Sequence, residues 1–110
     1  MFIAPFGEAG GAADRSIWSA TKDLTPVENA YSHFLKHGGE FPEFLNSKQY
    51  VEGAQKFLTN SPEGTLTKMR MNGDMLKYHP PTNTFGVMNG NGVPKTLFRP
   101  NDGLLYWLKQ

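Results

Sequence analysis

Two stretches of the chain carry apolar residues at helical spacing, and a third changes to alternation. Thr25, Pro26 and Glu28 supply a hydroxyl N-cap, a proline at the first helical position and an acid three residues after the cap, a combination that starts a helix. Val27, Ala30, Tyr31, Phe34 and Leu35 then recur on one face, and Gly38-Gly39 ends the element. Asn46 and Ser47 cap a second helix, with the stripe Tyr50, Val51, Ala54, Phe57 and Leu58. Gly53 sits inside that helix and weakens it by about 1 kcal/mol relative to alanine. After Gly64 the period becomes two. Strands are expected over about 65–71, 74–79, 84–88 and 93–99. Asn72-Gly73 is a two-residue hairpin signal; Pro80 to Asn83 and Asn89 to Gly92 make the other turns. Pro100-Asn101-Asp102-Gly103 closes the last strand and leaves Leu104 to Leu108 as a short apolar tail. The fold class that follows is α+β, with N-terminal helices packed on one face of a four-stranded antiparallel β-meander. Residues 1–20 are rich in Gly and Ala and read as a linker or loosely ordered arm, with Trp18 the exception that can dock on the body. The domain proper is then 21–110.

Composition agrees with one small folded domain. The 110 residues are 38% hydrophobic and 19% charged, which favours a core over disorder. There is no cysteine, so neither a disulfide framework nor a thiolate zinc site holds the chain together. Eight Phe, four Tyr and two Trp take over that task. No apolar run approaches the ~20 residues of a membrane span, so no stable membrane association is expected. The N-terminus lacks a basic-then-apolar signal peptide, and export would depend on a signal elsewhere on a longer parent chain. Net charge is +1, but its distribution is uneven. Lys68, Arg70, Lys77, Lys95 and Arg99 stand against the single acid Asp74 between residues 65 and 99. Such a sheet half can meet a polyanion, or be the solvated face of a neutral protein.

Lys36-His37 closes the first helix, with His37 at the edge of the apolar stripe and Lys36 pointing away from it. That border position suits a general acid or base near neutral pH; it also suits a surface histidine that complements the helix dipole. His33 and His37 are four residues apart and share a face. A zinc site would need a third ligand such as His79 or Glu40, and HExxH is absent, so no metal is expected. On the last strand Thr96 and Phe98 face one side while Lys95, Leu97 and Arg99 face the other. A hydroxyl beside an exposed aromatic can hold a phosphate and stack a base, or the pair can be ordinary sheet core. Tyr78, between Lys77 and His79, poses the same choice. The chain has no phosphate loop, no GxSxG and no carboxylate pair at telling spacing, which argues against nucleotide-triphosphate, acyl-transfer and glycosidase chemistry.

The run LTPVENAYSHFLKHGGEFP (24–42) resembles the opening of C-terminal toxin domains of contact-dependent inhibition and related polymorphic toxin systems. YVEGA (50–54), GTLTK (64–68), NGD (72–74), TNTFGVM (82–88) and GVPKTLFRP (92–100) continue the likeness in order, over roughly residues 24–110. Such domains are similar to ribonucleases of the barnase/EndoU/colicin E5–D/RelE type. The resemblance implies metal-independent RNA cleavage with no cofactor, often of tRNA, and neutralisation by a cognate immunity protein. It also implies a secreted or cell-surface-delivered parent toxin acting in the target-cell cytoplasm, with a host translation factor as a candidate activator. Colicin D-like nucleases carry a Lys-His pair at a helix end and a hydroxyl residue two positions before an aromatic on a late strand. Lys36-His37 and Thr96-Leu97-Phe98 match that arrangement, with threonine and phenylalanine in place of serine and tryptophan.

The catalytic set that follows is His37, Lys36, Thr96 and Arg99. Lys68, Arg70, Lys77, Tyr78, His79, Lys95 and Phe98 are the expected RNA contacts. Arg99 and Thr96 face opposite sides of an ideal strand, so both serve only if Pro100 ends the strand early or the ribbon twists. Two departures stand out: Tyr78-His79-Pro80 where the family commonly reads Tyr-Asp-Pro, and a shorter C-terminal tail. The alternative function is a catalytically inactive toxin remnant or a protein-binding module, which the initiating Met1 and His79 favour.

Overall fold

A computed structural model describes residues 17–110; of the arm expected over 1–20, residues 1–16 lie outside them. Helix α1 spans Pro26–His37 and α2 spans Ser47–Thr59. Strands β1 (Leu66–Met69), β2 (Met75–His79), β3 (Thr84–Met88) and β4 (Pro94–Phe98) follow, and a short helix α3 (Leu104–Leu108) ends the chain. The strands form one antiparallel sheet in the order β1-β2-β3-β4. This is an α+β meander, as the change from helical to strand period predicts.

Local chemistry accounts for where the helices begin. Thr25 Oγ1 accepts from the Glu28 backbone N–H (3.2 Å) and Glu28 Oε1 accepts from that of Thr25 (2.9 Å), a closed capping box. Asn46 Oδ1 accepts from the Gln49 N–H at 2.9 Å and does the same for α2. The Gly38-Gly39 stop differs from the usual left-handed cap. Gly38 keeps right-handed angles (φ −57°, ψ −32°), and Gly38–Glu40 continues as a 3-10 turn. Gly53 also has a reason beyond propensity: a Cβ there would lie 2.2 Å from Phe44 Cζ, so the glycine is the seat of an aromatic ring.

The sheet is covered on both faces. On one, Leu97 joins Tyr50, Val51 and Ala54 of α2, together with Ile17, Trp18, Ala30 and Phe41. On the other, Leu76, Tyr78, Phe85 and Val87 pack with Trp107 of α3, flanked by Phe98 and Tyr106. The apolar tail is therefore a helix that caps the second face. Residues 17–20 belong to the body and not to an arm. Ile17 and Trp18 are buried, Trp18 stacks on Tyr50 with ring centroids 5.7 Å apart, and Ser19 N–H donates to Pro94 O at 2.8 Å.

Two expectations are corrected. The β1–β2 hairpin has a three-residue loop, because Arg70 N–H pairs with Asp74 O (2.8 Å) and, of its residues, only Gly73 has positive φ (+94°). A two-residue type I′ turn would need positive φ at Asn72 as well. The inner face of α1 is also rotated from its apolar stripe. Val27, Tyr31 and Leu35 are more than half exposed, whereas Asn29 and Ala30 are buried and His33, Phe34 and His37 partly so. Buried Asn29 is satisfied by donating to Ser19 O at 2.9 Å.

Candidate functional site

The rotation of α1 turns its two histidines toward β4. The helix advances about 6 Å in four residues and a strand about 6.6 Å in two, so side chains of the two elements meet in matched steps. His33 Nδ1 lies 3.3 Å from Thr96 Oγ1. One helical turn on, the His37 ring stacks on Phe98, with centroids 5.2 Å apart and planes 26° apart. Past the helix end, Glu40 Oε1 accepts from the Arg99 backbone N–H at 2.7 Å. The two imidazole centroids are 6.1 Å apart.

Glu40 is what makes His37 chemically specific. The 3-10 turn brings its carboxylate back to the imidazole, and Oε2 lies 3.0 Å from His37 Nδ1. A carboxylate can only accept, so it fixes the proton on Nδ1 and leaves Nε2 for chemistry. The other oxygen is anchored by Arg99, so the carboxylate is itself held. His37, Glu40, Phe98, Asp102 and Tyr106 line part of an open cavity of about 300 Å³ at this corner. Phe98 also meets Phe85 and Tyr106 at centroid distances of 5.2 and 5.4 Å, which makes it a platform for the histidine. Lys36 is exposed beside this corner. His33 is half-buried; burial first, then the neighbouring His37 and Lys36, hold its imidazole below its ordinary value.

Arg99 serves the frame. Its guanidinium donates to both Glu43 carboxylate oxygens (2.8 and 3.3 Å), to Glu40 O (2.8 Å) and, weakly, to Thr84 Oγ1, and it lies over the Phe41 ring at 4.3 Å. Those bonds hold the Glu43 carboxyl below the usual carboxylate range. The arginine thus clamps the α1–α2 connection on β4 and leaves few donors for a phosphate.

The basic stretch does not form one free surface. Lys68 Nζ donates to Trp107 O (2.8 Å) and Gln110 O (3.1 Å) and lies over the Trp107 ring, tying β1 to α3. Arg70 reaches Gln110 Oε1 at 3.1 Å, and Lys77 Nζ reaches Ser61 Oγ at 3.0 Å. Lys95 pairs with buried Asp74 at 2.7 Å and holds that carboxyl low. A register shift at Val87–Met88, opposite Lys95, breaks the strand alternation there. Tyr78 is buried, with its hydroxyl donating to Asn83 Oδ1 at 2.7 Å. His79 is buried with both ring nitrogens engaged, one by Thr82 Oγ1 and one by Glu63 O, so it pins a turn.

Tyr106 escaped the sequence reading as a site residue, and Glu40 entered it only as a possible metal ligand. The signal for Glu40 was a short one, an acid three residues after His37 across two glycines that can prolong a helix. A mainly apolar cavity of about 210 Å³ between α1 and α2, lined by Ile17, Val27, Tyr31, Lys48 and Val51, contains neither a histidine nor a carboxylate. Among the described residues no group of three or more His, Asp or Glu could hold a metal ion, and no helix is long and apolar enough to cross a membrane. No protein-family model matches the chain, and no curated protein does.

Proposed function

We propose that this chain is a ribonuclease domain of the bacterial toxin type that cleaves RNA without a metal ion, with tRNA as the expected substrate. The observation that carries the reading is the His37–Glu40 pair, an imidazole at the edge of an open cavity with one nitrogen held by an anchored carboxylate. A histidine so oriented is suited to move a proton to or from a reacting oxygen. In the reaction a ribose 2′-oxygen attacks the adjacent phosphorus and the bond to the 5′-oxygen breaks. The products are a cyclic phosphate and a 5′-hydroxyl end. His37 acts in proton transfer, Lys36 offsets charge on the phosphate, and Thr96 donates a hydrogen bond to a phosphate oxygen. Arg99 acts at one remove, by fixing Glu40. Phe98 and Tyr106 form an aromatic edge on which a splayed base can rest.

The likeness of residues 24–110 to polymorphic toxin domains supports the rest of the proposal. A longer exported toxin delivers the domain to the target-cell cytoplasm, and a dedicated immunity protein covers it in the producing cell. A host translation factor is the further partner to test as activator. Incubation of the purified protein with total tRNA in EDTA tests the reading. Discrete fragments from the wild type and none from His37→Ala are expected; equal cleavage by both removes His37 from the mechanism. Fragments that vanish on EDTA addition point to a metal-dependent reaction instead.

A further inference from the structure

Resting on the ribonuclease reading, we infer that His33 is a second proton-transfer residue of the same site. His33 takes the proton of the attacking 2′-hydroxyl, while His37 gives a proton to the departing 5′-oxygen.

The placement of the two rings argues for a division of labour. They stand one helical turn apart on the face of α1 that meets β4, with centroids 6.1 Å apart. In-line displacement puts the attacking and leaving oxygens on opposite sides of phosphorus, so one histidine cannot easily serve both. Thr96 Oγ1, 3.3 Å from His33 Nδ1, offers a hydroxyl to a phosphate oxygen beside that ring. A hydroxyl that donates to Nδ1 there would leave the proton of neutral His33 on Nε2; a hydroxyl turned to phosphate frees Nδ1 to accept. Thr96 thus couples phosphate binding to the basicity of His33.

The surroundings of the rings differ in the sense the assignment needs. His33 packs against Trp18 (5.3 Å between centroids), no hydrogen bond or ion pair joins it to a carboxylate among the described residues, and burial first, then His37 and Lys36, lower its imidazole. A neutral imidazole can accept a proton. His37 has the Glu40 carboxylate at 3.0 Å as counter-ion, which suits an imidazolium that can donate. In the step the 2′-O–P bond forms and the P–5′-O bond breaks. His33 gains the 2′ proton and His37 Nε2 loses one to the 5′-oxygen. Water then returns both rings to their starting states.

The test compares wild type, His33→Gln and His37→Ala on an RNA with its mapped junction intact, and on the same RNA with sulfur replacing the bridging 5′-oxygen. A thiolate leaves without a donated proton. Loss of His37 is expected to cost about 10²-fold or more on the oxygen substrate and under about tenfold on the sulfur one. Loss of His33 is expected to cost about 10²-fold or more on both. His33→Gln within about threefold of wild type on both substrates, or rescued by sulfur, overturns the inference and leaves the ribonuclease reading standing. A wild type that cleaves neither RNA overturns the ribonuclease reading and this inference with it. If His33→Gln loses its native circular-dichroism spectrum, Thr96→Val takes its place. A loss of at least about fivefold on both substrates is then expected, and a change under about twofold overturns the inference.

Discussion

Replacing Glu40 by glutamine changes one atom and disturbs both hydrogen bonds that define the site. The carboxylate accepts from the Arg99 backbone N–H at 2.7 Å and faces His37 Nδ1 at 3.0 Å. A glutamine has one acceptor oxygen, and the fixed Arg99 donor claims it. The amide NH₂ then faces Nδ1, which must become an acceptor, so the ring proton moves to Nε2 and the ring loses its carboxylate partner. In stability, a charge-assisted bond becomes a neutral one at a partly exposed position, a loss of about 1 kcal/mol. For a domain of this size that is a fall in Tm of roughly 4–8 °C. In rate, the tautomer needed for proton transfer is disfavoured, and cleavage should fall about 10²- to 10³-fold. Thermal denaturation followed by circular dichroism and timed tRNA cleavage on one preparation read both effects. A variant that melts within about 1 °C of wild type and cleaves within about threefold would refute the pairing as the source of either.

Gly53→Ala should destabilise, although alanine is the better helix former. The gain of about 1 kcal/mol in propensity opposes a clash with the Phe44 ring that costs about 1–3 kcal/mol, and Phe44→Leu should relieve much of the loss in urea melts. Removal of residues 1–16 gives the reference truncation for a Tm comparison. Removal of residues 1–20 also deletes buried Ile17 and Trp18, a cost of about 3–5 kcal/mol for the tryptophan alone, enough to threaten folding. Equal melting of the two truncations would place the domain start after residue 20. Asp74 and Glu43 both have folded-state carboxyl values below their unfolded ones, so the unfolded chain binds more protons. The stability they add is complete above about pH 4.5 and is lost as pH falls through the folded values. Urea denaturation between pH 3 and 7 should show that acid limb, made shallower by Lys95→Gln; equal slopes would remove the Asp74–Lys95 pair from it.

The elements were legible where local chemistry decides them. The Thr25–Glu28 capping box, the Asn46 cap and the alternation after Gly64 rest on neighbours in sequence, and both helices and all four strands lie close to where those signals put them. What depends on a distant partner was hidden. Periodicity makes Val27, Tyr31 and Leu35 a core stripe, but Asn29, bound to Ser19 O, turns a different face inward. That face carries His33 and His37, which no hydropathy pattern marks as inward. Lys68, Lys77 and Lys95 read as a basic surface because their partners Trp107, Ser61 and Asp74 are brought in by the fold. Glu40 was read only as a possible third zinc ligand, since its bond to His37 depends on Gly38 staying right-handed. Lys36, His37 and Thr96 were singled out by the resemblance, and in the structure Thr96 meets His33 while His37 meets Phe98; Arg99 was singled out by charge and is found in the frame.

The most direct test of the account is the chemistry of the cut ends. Total tRNA treated with the wild-type protein in EDTA should yield fragments with 2′,3′-cyclic phosphate and 5′-hydroxyl termini, and His37→Ala should yield none. Fragments with 5′-phosphate ends, or the same fragments from His37→Ala, would contradict it.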